Sequence, residues 1–465
     1  MKISLLDNHN GHNFGQETGV IAENVYDVLR GYSGKTLGEL RSKSEGGLVE
    51  FGLDEGASSE LSLYEAIEID ESDPGNRCLR LDTGNLMGVV RLKRKGDLES
   101  VQLEIRSRFD GSKSGQPFLS YLLSRVFNVD YTDLVSASDG TALMQILTAI
   151  QFVRKLGAVE QLGLYRRYVE FRRNDLNMRG RIDLQRQIRE NIPVGVGVAY
   201  VTREMTYDTP LNHLLRFAIE VINRKWPRLL SSSRSAHGMS IALKMNTPTW
   251  DPNSKMRILA NRECIEELRH PYYGEYYEVL RVLARKVVLE NGLDVYADSE
   301  DEVSGVIFNG AWLWEEYLAT ILDDVGFVHS NCADIGRIDG FRNLNGQYGQ
   351  RMYPDFYSKS RSVVLDAKYK RKPNYEDCKN GYQRSDILQL FAYVLLTNAK
   401  VAGLIYPPLE GNGTQQESSA MINQSMTNDD VEWKTFAFGA LPENVDIESF
   451  MSEQEMCLKR CFEIA

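Results

Sequence analysis

The chain has 465 residues, 42% of them hydrophobic and 26% charged, and its formal net charge at pH 7 is −11. These proportions are typical of a soluble globular protein of about three domains, and the acidic balance argues against strong unaided binding to nucleic acid. No signal peptide follows Met1, and the most apolar run, residues 387–396, is too short to cross a bilayer. We therefore expect a cytoplasmic protein that does not bind membranes.

Residues 1–115 have the pattern of a β-rich domain. Segments at 79–81, 88–92 and 101–105 alternate apolar with polar residues, and turn signals such as Asp82-Thr83-Gly84 separate them. This pattern predicts a small sheet or barrel with long loops.

Residues 116–300 are predicted to be mainly helical. Between Ala142 and Leu156 the apolar residues recur on one helical face, and Gly157 follows as a stop signal. Thr209-Pro210 predicts another helix, with threonine as the N-cap and proline at the first helical position.

The middle region also holds the densest run of arginines. Three interpretations stay open for it: a solvated face with internal ion pairs, a track for DNA, or a docking surface for an acidic partner. The arginines are Arg166, Arg167, Arg172, Arg173, Arg179, Arg181, Arg186 and Arg189.

Residues 301–465 contain the pattern with the clearest chemistry. Pro354-Asp355 precedes a turn-like stretch near Lys359-Ser360, and the apolar strand that follows runs into Asp366-Ala367-Lys368. Asp366 and Lys368 are two apart on a strand and so share one face. A tight turn would bring Asp355 back beside Asp366 across the hairpin. The sequence therefore predicts two carboxylates and one ammonium in a small volume.

Two carboxylates and a lysine suit metal-assisted hydrolysis of a phosphodiester. Mg²⁺ bound by carboxylates keeps several waters and also takes phosphate oxygens of the substrate. The metal generates hydroxide, and the lysine orients the attacking water or stabilises the charge of the transition state. The alternative is a surface hairpin whose Asp and Lys form an exposed ion pair. The pattern resembles the PD-(D/E)xK nuclease signature.

Helices are predicted on both sides of this hairpin. The upstream helix follows a cap at Asn309 and carries Glu315, while the downstream helix is capped by Ser385 and carries Gln389 and Tyr393 on one face. Ordinary amphipathic packing could account for Gln389 and Tyr393 taken alone. The order of elements resembles that of the lambda-exonuclease-like and RecB-like branch of this nuclease superfamily, in which an acidic helix precedes the hairpin and a Gln-x-x-x-Tyr helix follows it.

Further motifs resemble a single family. In chain order they are Arg179-Gly180-Arg181-Ile182-Asp183, Tyr207-Asp208-Thr209-Pro210-Leu211-Asn212-His213-Leu214-Leu215, Leu313-Trp314-Glu315-Glu316-Tyr317, Pro354-Asp355 and Asp366-Ala367-Lys368-Tyr369-Lys370. Across roughly residues 140–400 they resemble McrC, the nuclease subunit of McrBC-type and LlaJI-like restriction systems.

The resemblance implies an α+β multidomain protein. Its expected parts are a β-rich, partner-contacting domain at 1–115, a mainly helical domain at 116–300 and a PD-(D/E)xK α/β nuclease domain at 301–465. The expected catalytic residues are Asp355, Asp366, Lys368, Glu315, Gln389 and Tyr393. The residues expected to hold Mg²⁺, for which Mn²⁺ can substitute, are Asp355, Asp366, Ala367 and Glu315.

The resemblance also implies a partner, an AAA+ GTPase of the McrB type that forms a hexameric ring and moves double-stranded DNA. This chain would then be the Mg²⁺-dependent DNA endonuclease subunit of a modification-dependent restriction complex in antiviral defence, and would stimulate its partner. The chain is acidic overall and has only the short basic run 368–372 beside the proposed site, which indicates that the partner provides much of the affinity for DNA.

No nucleotide is expected to bind to this chain itself. The sequence Gly195-Val196-Gly197-Val198-Ala199 lacks the Lys-Ser/Thr of a phosphate-binding loop. Two other functions stay open: a stand-alone RecB-like repair nuclease, and an assembly subunit with a vestigial nuclease site that only activates its partner.

Overall fold

The structure is a computed structural model of the chain. It describes residues 2–8, 10–13, 28–29, 31–32, 35, 39–40, 48–52, 80–93, 100–110, 116–130, 141–193, 195–231, 233–289, 303–330, 338–342, 348–370, 384–408, 422–428, 431–439 and 446–463.

The described residues combine helices with several sheets, as expected for an α+β protein. The strands are β1 (Lys2–Leu6), β2 (Asn10–Asn13), β3 (Leu48–Phe51), β4 (Arg80–Asp82), β5 (Leu86–Lys93), β6 (Ser100–Arg106), β7 (Arg167–Asp175), β8 (Arg181–Ile182), β9 (Val198–Thr206), β10 (Val303–Asn309), β11 (Val328–His329), β12 (Ile338–Arg342), β13 (Tyr348–Met352), β14 (Phe356–Ser358), β15 (Val363–Ala367), β16 (Val401–Tyr406), β17 (Ile422–Asn428) and β18 (Val431–Ala437). The helices are α1 (Pro117–Phe127), α2 (Thr141–Ala158), α3 (Leu184–Asn191), α4 (Pro210–Lys225), α5 (Pro227–Ser231), α6 (Arg234–Asn246), α7 (Lys255–Leu259), α8 (Arg262–Ile265), α9 (Gly274–Leu289), α10 (Gly310–Leu322), α11 (Arg384–Thr397) and α12 (Ile447–Glu463). Within the described ranges, no helix is both long enough and apolar enough to span a membrane.

The chain divides into two compact units. Unit 1 comprises Met1–Met144 together with Tyr296–Ala465, and unit 2 comprises Gln145–Val295. The three-domain organisation expected from the sequence stays a prediction. Strands from the first and last of these three predicted domains nevertheless pair with each other within unit 1.

One sheet of unit 1 has the strand order β1-β6-β5-β10-β3. β5 lies antiparallel to β6 and β10, and the outer strands β1 and β3 run parallel to their neighbours. β6 alternates buried with half-buried residues, and Leu103 joins Val90 of β5 in the core. The strands predicted at 79–81, 88–92 and 101–105 correspond to β4, β5 and β6. β10 comes from the C-terminal segment, so residues distant in sequence complete this sheet.

A second sheet of unit 1 has the order β11-β14-β15-β16-β18-β17. β15, β16 and β18 run parallel at its centre, and the other three strands are antiparallel to their neighbours. Every residue of β15 is buried, as expected for a parallel strand that is covered on both faces. β14 and β15 form the predicted hairpin, with residues 359–362 as its turn.

The helix before the hairpin, α10, begins as predicted. The side-chain oxygen of Asn309 accepts hydrogen bonds from the N–H groups of Ala311 and Trp312 at 3.0 and 3.4 Å. This cap satisfies two of the donors that a helix start leaves without partners. The turn after α10 closes at Gly326, whose positive φ of 80° suits glycine.

The helix after the hairpin, α11, begins two residues earlier than predicted. It starts at Arg384, so Ser385 lies within the first turn and the prediction that it caps the helix is wrong. Arginine has at least as high a helix propensity as serine, so nothing in the sequence stops the helix at Ser385. Asp386 is buried in this first turn, where a negative charge interacts favourably with the helix dipole.

Unit 2 contains the predicted helices and also a sheet that the sequence did not predict. Thr209 caps α4, its side chain accepting from the N–H of Asn212, and Pro210 is the first helical residue, as predicted. The antiparallel sheet β7-β9-β8 spans the arginine-rich segment. Most residues of β7 are exposed, so its sequence lacks the apolar-polar alternation of a strand with one buried face.

The motif Tyr207–Leu215 has a structural explanation. The side-chain amide of Asn212 donates to the carbonyl oxygens of Tyr165 and Tyr207 at 2.8 and 2.6 Å. His213 Nε2 lies 2.5 Å from Asp208 Oδ1. These bonds fix the chain at the start of α4, so the motif holds the scaffold of unit 2 together.

Candidate active site

The hairpin brings the two predicted carboxylates together. Asp355 directly precedes β14, and because Phe356 pairs with Leu365, Asp355 stands opposite Asp366 on β15. Asp355 Oδ2 accepts a hydrogen bond of 2.6 Å from the N–H of Ala367, the residue after Asp366, so the two carboxyl groups lie close together. Asp366 is only 1% exposed. The predicted adjacency is therefore present, whereas the catalytic role of these residues stays a prediction.

Lys368 lies on the same side as Asp366 and forms an ion pair with its carboxylate. Its ammonium also donates to Gln389 Oε1 at 2.9 Å. Gln389 Nε2 donates to the hydroxyl of Tyr393 at 3.1 Å, and that hydroxyl donates to the carbonyl oxygen of Tyr353 at 3.2 Å. α11 is thus hydrogen-bonded both to Lys368 and to the segment before Asp355. These bonds link Gln389 and Tyr393 to the site, and the catalytic role of both residues stays a prediction.

The third predicted acid, Glu315, comes from α10. It is half-buried, and after burial itself the Asp366 carboxylate is among the groups that raise its pKa, while Asp366 and Glu315 both add to the raised pKa of Asp355. Beside it, His329 Nδ1 hydrogen-bonds to the carbonyl oxygen of Asp355 at 3.0 Å, and its Nε2 lies 3.8 Å from Glu316 Oε1. The site therefore combines residues of α10, β11, the hairpin and α11.

Burial controls the protonation of this cluster. It raises the pKa of Glu315 to about 7, although the nearby His329 opposes the shift. Burial, with help from the neighbouring carboxylates, raises the pKa of Asp355 well above its usual range. The pKa of Asp366 is also raised by burial, and Lys368 limits the shift. Burial is the largest single influence on the pKa of Lys368 and lowers it, but the attraction and hydrogen bond to Asp366, together with the nearby Asp386 and Asp355, outweigh burial, so the net pKa is raised.

The donor set fits Mg²⁺. Within the described ranges, no three His, Cys, Asp or Glu side chains form a ready-made metal cluster. Mg²⁺ usually takes only one or two protein carboxylates and completes its shell with waters and substrate phosphates. Asp355 and Asp366 meet that requirement, with Glu315 as a nearby third acid. Ala367 has only its carbonyl oxygen to offer as a ligand.

The basic run after the hairpin is only partly described. Lys370 pairs with Asp386 of α11 at 2.7 Å, so its charge supports the packing of that helix. Arg371 and Lys372 lie outside the described residues, as does the segment 410–414, which the sequence leaves unassigned.

Sequence reasoning missed three residues of this neighbourhood. They are His329, Tyr369 and Asp386. Tyr369 lies within the motif Asp366–Lys370 and Asp386 lies three residues before Gln389 on the same helix, so both were local to the predicted site, but neither was predicted to contribute to it. His329 stands in a two-residue strand without a motif, and only the three-dimensional structure brings it to Asp355.

The chain matches one family model, described as McrBC 5-methylcytosine restriction system component, over residues 81–407. No curated protein matches the chain. A structure from Thermococcus gammatolerans, the refined half-complex of a tetradecameric assembly of McrB AAA+ hexamers with bound McrC, is similar at a TM-score of 0.46 and 14% identity, covering 99% of this chain and 100% of that chain. The cryo-EM structure of the Thermococcus gammatolerans McrBC complex is similar at a TM-score of 0.30 and 16% identity, covering 70% of this chain and 88% of that chain.

Proposed function

We propose that this chain, which belongs to the McrBC family of 5-methylcytosine restriction system components, is the subunit of its system that cuts DNA by Mg²⁺-dependent phosphodiester hydrolysis. One observation carries the proposal. A buried hairpin sets Asp355 beside Asp366 and pairs Asp366 with Lys368. An exposed surface ion pair, the alternative interpretation, would not be buried in this way.

Each residue has a distinct task in the proposed reaction. Asp355 and Asp366 would hold Mg²⁺, which when bound would lower the pKa of a water and neutralise charge on the scissile phosphate. Lys368 places its ammonium beside that position and donates hydrogen bonds to the attacking water or to a phosphate oxygen. Gln389 holds the ammonium in place through its 2.9 Å hydrogen bond.

Glu315 would take part in proton transfer. In the metal-free chain burial raises its pKa to about 7, so there it exchanges a proton near neutral pH. A group with such a pKa is an efficient general acid or base at that pH. Its place on α10, across from the hairpin, suits a role in accepting the proton of the attacking water.

The proposed partner is an AAA+ GTPase of the McrB type, organised as a ring around double-stranded DNA. This chain carries a net charge of −11 and no phosphate-binding loop motif. A ring that encloses DNA would present the substrate to the nuclease site at a high effective concentration. Strong contacts between this chain and DNA would then be unnecessary.

Unit 2 offers a surface for such a partner. Its sheet and the adjoining helix α3 expose large apolar side chains, which a monomer rarely leaves in contact with water. They are Tyr168, Leu176, Met178, Ile182, Leu184, Ile188, Ile192, Val196 and Met205. Several of the nearby arginines pair internally, as Arg173 does with Glu204 and Arg186 with Glu190. Partner contact by residues 1–115, expected from the family resemblance, stays a second proposal.

The test is DNA cleavage by the full-length chain mixed with its AAA+ partner, GTP and Mg²⁺. Asp366→Asn removes one metal-binding charge with little change in shape. We expect it to abolish cleavage while nucleotide turnover by the partner is still stimulated. If the Asp366→Asn complex cuts DNA like the wild type, this hairpin is not the nuclease site.

A further inference from the structure

Tyr369, which directly follows Lys368, is buried at a junction inside unit 1. Its hydroxyl lies 3.2 Å from Ser107 Oγ and 3.2 Å from Met87 Sδ, and its ring packs edge-on against Phe109 at 5.0 Å. Met87 belongs to β5, while Ser107 and Phe109 follow β6. The residue after the proposed catalytic lysine is therefore anchored in the first sheet.

Arg108 provides a second anchor at the same point. Its Nη2 donates to the carbonyl oxygen of Tyr369 at 2.7 Å, and its guanidinium stacks over the Tyr369 ring at 4.9 Å. Its Nη1 lies 3.5 Å from Asp7 Oδ2, and the N–H of Arg108 donates to Asp7 Oδ1 at 2.6 Å. The side chains of Arg108 and Asp7 are 10% and 0% exposed. A buried, planar guanidinium of this kind permits little freedom in the backbone that it binds.

The start of α10 forms the third side of the junction. A β-carbon on Gly310 would lie 2.5 Å from Cε1 of the Tyr369 ring, so only glycine allows the ring to approach this closely. The N–H of Gly310 donates to the carbonyl oxygen of Asn85 at 2.7 Å. Gly310 is the first residue of the helix that carries Glu315. The Tyr369 ring thus packs directly against the start of α10.

We infer that Arg108 and Tyr369 are positioning residues that fix the spacing between Glu315 on α10 and the Asp366–Lys368 pair at the end of β15. The inference rests on the proposed nuclease function. Metal ligands hold their geometry only when the residues behind them are themselves fixed. Here the fixing groups come from Asp7 and Arg108 in the N-terminal segment. The affinity of the site for a divalent cation therefore depends on residues about 260 positions away in sequence.

The inference is tested by direct binding of Mn²⁺ to the full-length chain, followed by electron paramagnetic resonance. Arg108→Lys keeps the positive charge beside Asp7 but loses the planar donor to Tyr369. Gly310→Ala adds one methyl group against the ring. Arg125→Lys is the matched control, because Arg125 likewise pairs with a buried carboxylate, that of Glu455, at 2.9 Å in the same unit.

We expect both Arg108→Lys and Gly310→Ala to raise the Kd for Mn²⁺ at least about 10-fold, as loss of supporting residues does in other metal sites, and Arg125→Lys to stay within about 2-fold. Thermal melting of each variant separates a loss of folding from a loss of positioning. If Arg108→Lys or Gly310→Ala fails to fold, Tyr369→Phe takes its place. It keeps the ring and removes only the hydroxyl that contacts Ser107 and Met87, and its Kd for Mn²⁺ should also rise.

Wild-type affinity in the Arg108 and Gly310 variants would overturn the inference, and so would an equal loss of affinity in Arg125→Lys. Failure of the proposed function gives a different result. In that case the wild-type chain binds no Mn²⁺ at the hairpin, or Asp366→Asn leaves cleavage intact. If Asp366→Asn abolishes both binding and cleavage while Arg108→Lys changes neither, the nuclease proposal stands and the positioning inference fails.

Discussion

Replacing Glu315 with glutamine should change how the stability of the metal-free protein depends on pH. In the folded chain burial raises the pKa of Glu315 from 4.5 to about 7. The unfolded chain therefore releases this proton at a lower pH than the folded chain does. A raised carboxyl pKa stabilises the fold at low pH, and that stabilisation is lost as the pH rises from about 4.5 to about 7. The glutamine side chain has no titratable proton, so the stability of the variant does not fall in this way as the pH rises.

The size of the effect follows from the shift. One pKa unit corresponds to about 1.4 kcal/mol, so a shift of about 2.5 units gives about 3.4 kcal/mol in total, of which about 2.5 kcal/mol falls between pH 5 and pH 8. The free energy of unfolding of Glu315→Gln relative to wild type should therefore rise by up to that amount over this range. Mg²⁺ added at pH 8 should narrow the difference, because a ligand that binds only the folded state stabilises it.

The assay is urea unfolding in EDTA at several pH values, followed by tryptophan fluorescence. Trp314 is fully buried next to Glu315 and reports on unit 1. Glu448→Gln, which removes an exposed carboxyl group from α12, controls for the loss of charge alone. The reasoning is refuted if the two variants show the same pH dependence relative to wild type.

Three further outcomes are expected. DNA cleavage by the complex should require Mg²⁺ or Mn²⁺ and stop in EDTA, while Ca²⁺ should bind without supporting turnover because it activates water less well; a time course with each ion measures this. Glu455→Gln should lower the free energy of unfolding by about 2 kcal/mol, because the Glu455 carboxylate accepts hydrogen bonds from the buried hydroxyls of Tyr121 and Tyr317. The same substitution should leave the Kd for Mn²⁺ unchanged. Aspartates in place of the exposed Leu184 and Ile188 should abolish stimulation of the partner's GTP hydrolysis without altering the melting temperature; unchanged stimulation would remove unit 2 as the docking surface.

The candidate site was predictable because its signals are local. The apolar run before Asp366, the turn residues and the Pro-Asp pair together predict the hairpin, and Asn309 predicts the start of α10. A strand fixes which residues share a face, so the pairing of Asp366 with Lys368 follows from their spacing alone. The helical spacing of Gln389 and Tyr393 likewise predicts that they face the same way.

The remaining features depend on contacts between distant parts of the chain. The pairing of β10 with β5 and β3 joins residues more than 200 positions apart, and no local pattern encodes it. The β7-β9-β8 sheet escaped prediction because most residues of β7 are exposed and its apolar residues do not alternate. Tyr369 belongs to the motif, but its contacts with Arg108 and Gly310 join segments that are distant in sequence, so the motif alone does not predict them.

The central claim is that the hairpin binds the catalytic metal, and anomalous scattering from crystals soaked in Mn²⁺ tests it most directly. We expect one strong peak within bonding distance of the carboxylates of Asp355 and Asp366, near Lys368, and its loss in Asp366→Asn. A peak elsewhere in the chain, or none at the hairpin in crystals of protein that cuts DNA in the same Mn²⁺ concentration, would contradict the account.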